Sequence, residues 1–272
     1  MIPLVMLLVP ESPAFYAARR PDGAVEKINR SLRALRQPPI DALPHIEPGA
    51  PKPKVTEILS NPRLRPVTLL LAFGYLFHTL TFYYVLKFAP TIVAGAGFTQ
   101  AEAASSLTYA NIGGAIGGFL FGFLIKKWDI KGPTIAVALL GSIAVAAFGI
   151  GSDTLWGWRI AAFLTMFFLN AAIVGYYAAF ARGFPAFARA TGTGFVLGVG
   201  RAGAAGSPII AGFLFVWLGN EELLAVSSIM AIGAIIGAGL LWFLPMRDPD
   251  YEEADGAPIA DIDPVVPPRK AA

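Results

Sequence analysis

The sequence has no cysteine, only two histidines and few charges: Asp, Glu, Lys and Arg together make up 14% of its 272 residues. Without cysteine there is no disulfide, no thiolate nucleophile and no zinc–thiolate site. His45 and His78 are too few for a dedicated metal centre. Soluble domains carry about 25% charged residues, so the shortage of charge argues against a soluble chain. Ser/His/Asp triads, phosphate loops and metal-ligand spacings are also missing, which argues against an enzyme. The first ten residues are apolar but lack a basic n-region and an A-x-A-like site, so they do not read as a signal peptide.

What the sequence has in abundance is apolar surface. Hydrophobic residues make up 56% of it, and the mean hydropathy is +0.62. A spanning helix needs about 20 apolar residues at 1.5 Å each. Six stretches qualify: 66–89, 103–125, 133–151, 158–181, 191–218 and 223–244. The fold class expected is therefore an all-α membrane protein built on a six-helix transmembrane bundle, 66–245. Residues 1–9 are too short to cross and read as the remnant of a preceding transmembrane helix. Residues 10–65 form a basic, proline-rich segment, with a short amphipathic helix over 23–36 and a proline-punctuated linker over 38–53. The tail, 246–272, is acidic and reads as disordered.

The connectors carry an orientation signal. With 10–65 placed in the cytoplasm and sides alternating at each span, the cytoplasmic connectors hold Lys126, Lys127, Lys131, Arg182, Arg189 and Arg247, besides the basic first segment. The other side holds Arg159, with Lys87 near the end of its span, and the acids Glu102, Asp153, Glu221 and Glu222. This positive-inside bias predicts both termini in the cytoplasm of a bacterial-type inner membrane. The net charge of +3 thus reads as a topology signal and not as a nucleic-acid footprint.

Two spans are glycine-rich in a patterned way. Gly113 and Gly117, with Gly114 and Gly118 on the adjacent row, repeat at four-residue spacing, as do Gly194 and Gly198. Small residues at this spacing let helix backbones approach closely in lipid. The rows serve either packing within the six-helix unit or docking against another bundle. Arg201 is about eleven residues into the fifth span, roughly 16 Å deep. A guanidinium there costs at least about 2.5–3.5 kcal/mol unless it faces a cavity or a partner, and no carboxylate sits at comparable depth in the other spans. Its counter-ion is an acid from another subunit or half, or an anionic substrate; the plain alternative is an architectural arginine bonded to carbonyls. His78, Asn111, Asn170, Tyr176 and Tyr177 are the other intramembrane polar candidates. Each is able to bind a substrate or to pair with a neighbouring helix, and His78 is also a candidate proton carrier.

Three motifs add a family resemblance. Pro10-Glu11-Ser12-Pro13 followed by Phe15 resembles the P-E-S-P-R element after the sixth helix of major facilitator superfamily transporters, with Ala14 in place of Arg. The connector from Gly122 to Pro133, containing Asp129 and Lys131, resembles that superfamily's G-x-x-x-D-R-x-G-R-R loop, with Lys126 where Asp is usual. The run from Arg189 through Arg201 to Pro208 resembles the R-A-T-G-x-G-x-x-x-G-x-G-R-x-G-x-x-x-x-P signature of the aromatic acid:proton symporters. The resemblance implies that the six spans correspond to helices 7–12 of a major facilitator fold. It implies a truncated secondary transporter that takes up benzoate-type carboxylic acids by proton-coupled alternating access, with the proton as coupling ion and no other cofactor. It further implies Arg201 in the transport path, Arg189, Asp129 and Lys131 at the cytoplasmic loops, and a substrate site at the midplane between two halves. The expected partners are membrane lipid, a small organic anion, and a missing N-terminal six-helix half or a second copy; no nucleic acid is expected. The alternatives are a non-transporting fragment or interaction module of a split carrier, and a related carrier for sugars or other organic acids.

Overall fold

The computed structural model describes residues 16, 21–34, 37–42, 54–126, 128–219 and 221–245, without the side chains of 186 and 187. The expected helix remnant 1–9, the element at 10–13, His45, Lys127, most of the proline-punctuated linker and the tail lie outside the described residues. The chain divides into two units, 1–51 with 256–272, and 52–255. In the first, helix α1 (Ala24–Ala34) falls within the stretch expected to be an amphipathic helix. Ala24, Ile28 and Ser31 are buried at helical spacing, while Lys27, Arg30 and Arg33 are exposed. Asn29 holds the chain that follows, donating from Nδ2 to the Ile40 carbonyl (2.9 Å) and accepting the Ile40 N–H (2.8 Å).

The second unit contains α2 (Val55–Ser60), α3 (Leu64–Gly95), α4 (Gln100–Leu124), α5 (Lys131–Phe148), α6 (Leu155–Gly183), α7 (Ala186–Leu218) and α8 (Leu223–Trp242). Among the described residues there is no strand, and six helices are long and apolar enough to cross a membrane. Local signals set their ends. Asn61 Oδ1 accepts the N–H groups of Arg63 (2.9 Å) and Leu64 (3.3 Å), satisfying free donors at the start of α3. Thr99 and Glu102 form a capping box ahead of α4. The first span runs past its expected end at 89, through Pro90, and closes where Gly97 adopts φ +95°. A proline deletes one N–H, which does not by itself end a helix that its neighbours hold. The short helix α2 was not anticipated in the segment before the spans.

Four contacts dominate the bundle besides that of α5 with α8: α4 on α6, α7 on α3, α5 on α6 and α8 on α3. Exchanging the first three spans with the last three maps these pairs onto one another, so the unit is two three-helix repeats related by an internal two-fold pattern. In lipid no hydrophobic force holds helices together, so small residues and hydrogen bonds do so. Thr81 Oγ1 donates to the Met230 carbonyl (2.6 Å), Ser142 Oγ to that of Ala231 (2.9 Å) and Thr165 Oγ1 to that of Ala144 (3.1 Å). Phe119, Ile143, Ile209, Phe213 and Val216 face outward and are exposed, as a lipid-facing surface requires.

The buried hydroxyl pair Tyr84–Ser227, 2.7 Å apart, ties α3 to α8. Tyr84→Phe and Ser227→Ala are each expected to destabilise the bundle by about 0.6–1 kcal/mol. The double variant should cost clearly less than the sum of the two. Thermal unfolding of the four proteins in one detergent checks this; strictly additive losses would mean that the two hydroxyls do not interact.

Candidate functional site

Helices α3, α6 and α7 enclose a cavity of about 370 Å³. Its lining repeats at helical spacing: Tyr75, Thr79, Phe82 and Tyr83 from α3; Asn170, Ile173, Val174 and Tyr177 from α6; Gly200, Arg201 and Ala204 from α7. Close approach of α7 to α3 is what makes the chamber. A Cβ at Gly200 would run into the Tyr75 ring, and one at Gly203 into the Leu76 carbonyl. Thr79 Oγ1 bridges the two helices, within 3.0 Å of the Gly200 carbonyl and 2.8 Å of the Leu76 carbonyl. Ser207 Oγ donates to the Leu80 carbonyl at 2.7 Å, one turn further along.

Arg201 is the cationic group of this cavity. Its Nη1 donates to the Tyr83 hydroxyl at 3.3 Å, and among the described residues no carboxylate pairs with it. The guanidinium is exposed in the unit, with donor capacity left over, since it carries five N–H groups. In the same lining, the hydroxyls of Tyr75 and Tyr177 stand 3.2 Å apart. Tyr177 also borders a second, more open groove of about 540 Å³, lined with Phe180, Ala181, Arg189, Ala190, Thr193, Gly194 and Leu197. Arg189 Nε donates to the Phe184 carbonyl at 3.4 Å.

Of the residues singled out from sequence, the first cavity brings together Arg201, Asn170 and Tyr177. Asn170 also serves packing: its Nδ2 donates to the Gly114 carbonyl at 2.6 Å. His78, Tyr176 and Asn111 lie elsewhere. His78 is fully buried between α3 and α6, where Nε2 donates to the Leu169 carbonyl at 3.0 Å and Nδ1 has no partner among the described residues. Tyr176 is fully buried beside it, ring centroids 5.3 Å apart, and its hydroxyl donates to the Gly74 carbonyl at 3.1 Å. Asn111 is exposed and bonds back to Leu107 of its own helix. Lys131 Nζ donates to the Leu244 carbonyl at 3.0 Å, joining the start of α5 to the end of α8, where a cation is favoured by the helix dipole. Asp129 is exposed in the connector before it.

The glycine rows divide in use. Cβ atoms at Gly113 and Gly117 would collide with the main chains of Phe163 and Phe167, so this row seats α4 on α6 within the unit. Gly114 and Gly118 face Asn170. Among the described residues, a Cβ at Gly194 or Gly198 meets nothing within 4 Å, and both lie on the open side of α7.

Tyr75, Thr79 and Tyr83 were not anticipated. Their signal was present: hydroxyl-bearing residues four and eight positions apart, on one face of an apolar span. A further cluster escaped notice at the end of the bundle that carries Glu102. There Arg159 Nε donates to Ser105 Oγ (2.9 Å), and the guanidinium stacks on Trp156 (5.0 Å) and Tyr109 (5.4 Å).

Comparison with known proteins points one way. Residues 71–267 match the family model described as Major Facilitator Superfamily. The chain is 28% identical over 258 residues to the gallate transporter of Pseudomonas putida, covering 86% of this chain and 54% of that protein. It is 31% identical over 142 residues to the benzoate transport protein of Acinetobacter baylyi, covering 51% and 30%. It is 25% identical over 248 residues to the 3-(3-hydroxy-phenyl)propionate transporter of Escherichia coli, covering 90% and 52%. The matched stretch therefore spans about half, or less, of the length of these curated relatives.

Proposed function

Because this chain belongs to the Major Facilitator Superfamily, a family of membrane transporters, we propose that it forms the substrate-binding wall of a proton-coupled carrier for aromatic carboxylic acids. The observation that carries this reading is Arg201: a guanidinium turned into a cavity, held by a phenol and, among the described residues, without a carboxylate partner. An anionic occupant would complete it with charge-assisted hydrogen bonds. Phe82, Ile173 and Val174 offer apolar walls to a flat ring. The relatives' printed names, for gallate, benzoate and 3-(3-hydroxy-phenyl)propionate transporters, all refer to aromatic acids.

The cavity has walls from three helices, and the relatives are about twice as long, so a second six-helix unit is the occupant proposed for its open side. Alternating access then consists of the two units rocking about a site at the midplane. The groove beside Arg189 is the proposed cytoplasmic exit, with both termini on that side of a bacterial-type inner membrane. His78, buried with no partner for Nδ1 among the described residues, is the candidate proton-handling group of this unit. A second reading, a half that docks without transporting by itself, draws on the open Gly194 and Gly198 face.

Uptake of labelled 4-hydroxybenzoate, with acid outside, separates the readings. Cells expressing this chain alone are compared with cells that also express an N-terminal half of a related carrier. Uptake only in the second strain, abolished by a proton uncoupler, is the result expected. Uptake by the chain alone means that a second copy supplies the missing wall. No uptake in either strain, with both proteins found in the membrane, would overturn the aromatic-acid reading.

A further inference from the structure

The cavity beside Arg201 has a polar end that binding of a carboxylate leaves unused. We propose that the paired hydroxyls of Tyr75 and Tyr177 are a second recognition point, selecting aromatic acids with a ring hydroxyl over those with a bare ring. This rests on the carboxylate role proposed for Arg201.

Tyr75 and Tyr83 are eight residues apart on α3, roughly 12 Å along the helix axis. The guanidinium held by Tyr83 and the hydroxyl pair of Tyr75 and Tyr177 thus come from different turns of α3 and line one cavity together with Phe82 and Ile173. An occupant that fits carries an anionic group for the guanidinium, a flat apolar ring for Phe82 and Ile173, and a polar group for the hydroxyl pair.

The polar end has unused hydrogen-bonding capacity. The two hydroxyls are 3.2 Å apart, longer than the usual O–H···O separation of about 2.7–2.8 Å. Two phenols bring two donor hydrogens and about four lone pairs, and their mutual bond uses one of each. A phenolic substrate accepts the remaining hydrogen and donates to a remaining lone pair. A ring with only C–H at that point leaves the tyrosine donor unpaired next to an apolar surface, which is the arrangement by which a polar site rejects an analogue. Thr79 Oγ1 and Asn170 Nδ2 already bond main-chain carbonyls, whereas the hydroxyls of Tyr75 and Tyr177 bond only each other among the described residues.

The pair is also held in place from one side. The Tyr75 ring lies edge-on to Phe180 (5.3 Å) and tilted against Tyr176 (5.6 Å), and the bare Cα of Gly200 closes over it. Tyr177 is 48% exposed and is the free partner.

The test is isothermal titration of benzoate and 4-hydroxybenzoate into the full chain, reconstituted in lipid nanodiscs together with an N-terminal half of a related carrier, for the wild type, Tyr177→Phe, Tyr75→Phe and Arg201→Gln. The wild type is expected to bind the hydroxylated acid about tenfold more tightly than benzoate. Tyr177→Phe should remove most of that preference, bringing the affinities of the two acids toward one another. Tyr75→Phe should do the same; should it fail to fold, Tyr177→Phe, at a half-exposed site, carries the test alone. Equal wild-type affinities, a preference that survives the tyrosine substitutions, or equal weakening of both acids by them would overturn the proposal. Arg201→Gln keeps its fate apart from that of the parent reading. If this variant loses both acids while the tyrosines leave the preference intact, only the hydroxyl proposal falls. If binding ignores Arg201, or the wild type binds neither acid, the parent reading falls and takes this one with it.

Discussion

Arg201→Ala, in the carrier completed by a second half, is expected to raise the KM for an aromatic acid roughly 10- to 100-fold. Hydrogen bonds to a charged group contribute about 1.5–3 kcal/mol, and each 1.4 kcal/mol is a factor of ten. Arg201→Lys should fall between the two, because an ammonium keeps the charge but lacks the planar fork that matches a carboxylate. Tyr83→Phe should have the mildest effect of the three, since Tyr83 acts on the substrate through the guanidinium that it orients at 3.3 Å. Initial rates of labelled-acid uptake at several concentrations, normalised to the amount of carrier in the membrane, check the series. Unchanged KM and uptake in Arg201→Ala would show that the carboxylate binds elsewhere.

The second large effect concerns stability. Gly117→Ala is expected to destabilise the unit by about 1–3 kcal/mol or more, and Gly113→Ala comparably, because each new methyl would meet the main chain of α6 at Phe167 or Phe163. Main chain within a packed helix has little room to move aside, unlike a flexible side chain. The gain in helix propensity from Gly to Ala, about 1 kcal/mol, is too small to offset that overlap. Gly198→Ala supplies the contrast, since none of the described residues lies within 4 Å of its added methyl. That variant should unfold at or slightly above the wild-type temperature. Thermal unfolding followed by tryptophan fluorescence in detergent reads both, and coincident melting curves for Gly117→Ala and Gly198→Ala would contradict the close α4–α6 contact.

These two glycine rows look alike in the sequence, four residues apart in apolar surroundings, yet one is consumed inside the unit and the other is open. Arg201 and His78 likewise both read as lone intramembrane polar groups. The structure turns Arg201 into a cavity and shuts His78 between α3 and α6 with its Nε2 on a main-chain carbonyl. Tyr176 and Tyr177 are adjacent in sequence, so about 100° apart around the helix. One is therefore sealed against Gly74 while the other borders both cavities.

Composition and periodicity by themselves determined that six helices are long and apolar enough to cross a membrane, roughly where each begins and ends, and that α4 and α7 carry rows of small residues. They also placed Arg201 well inside its span, because position along a helix is a count of residues times a constant rise. What only the tertiary structure decided is the rotation of each helix about its axis. In water a helix advertises its buried face by the contrast between apolar and polar residues. In lipid the outside is as apolar as the inside, so that contrast is gone and close packing of small residues and hydrogen bonds choose the rotation. Those contacts join residues far apart in the chain, such as Thr79 with Gly200 and Tyr75 with Tyr177, and only the assembled bundle brings them together.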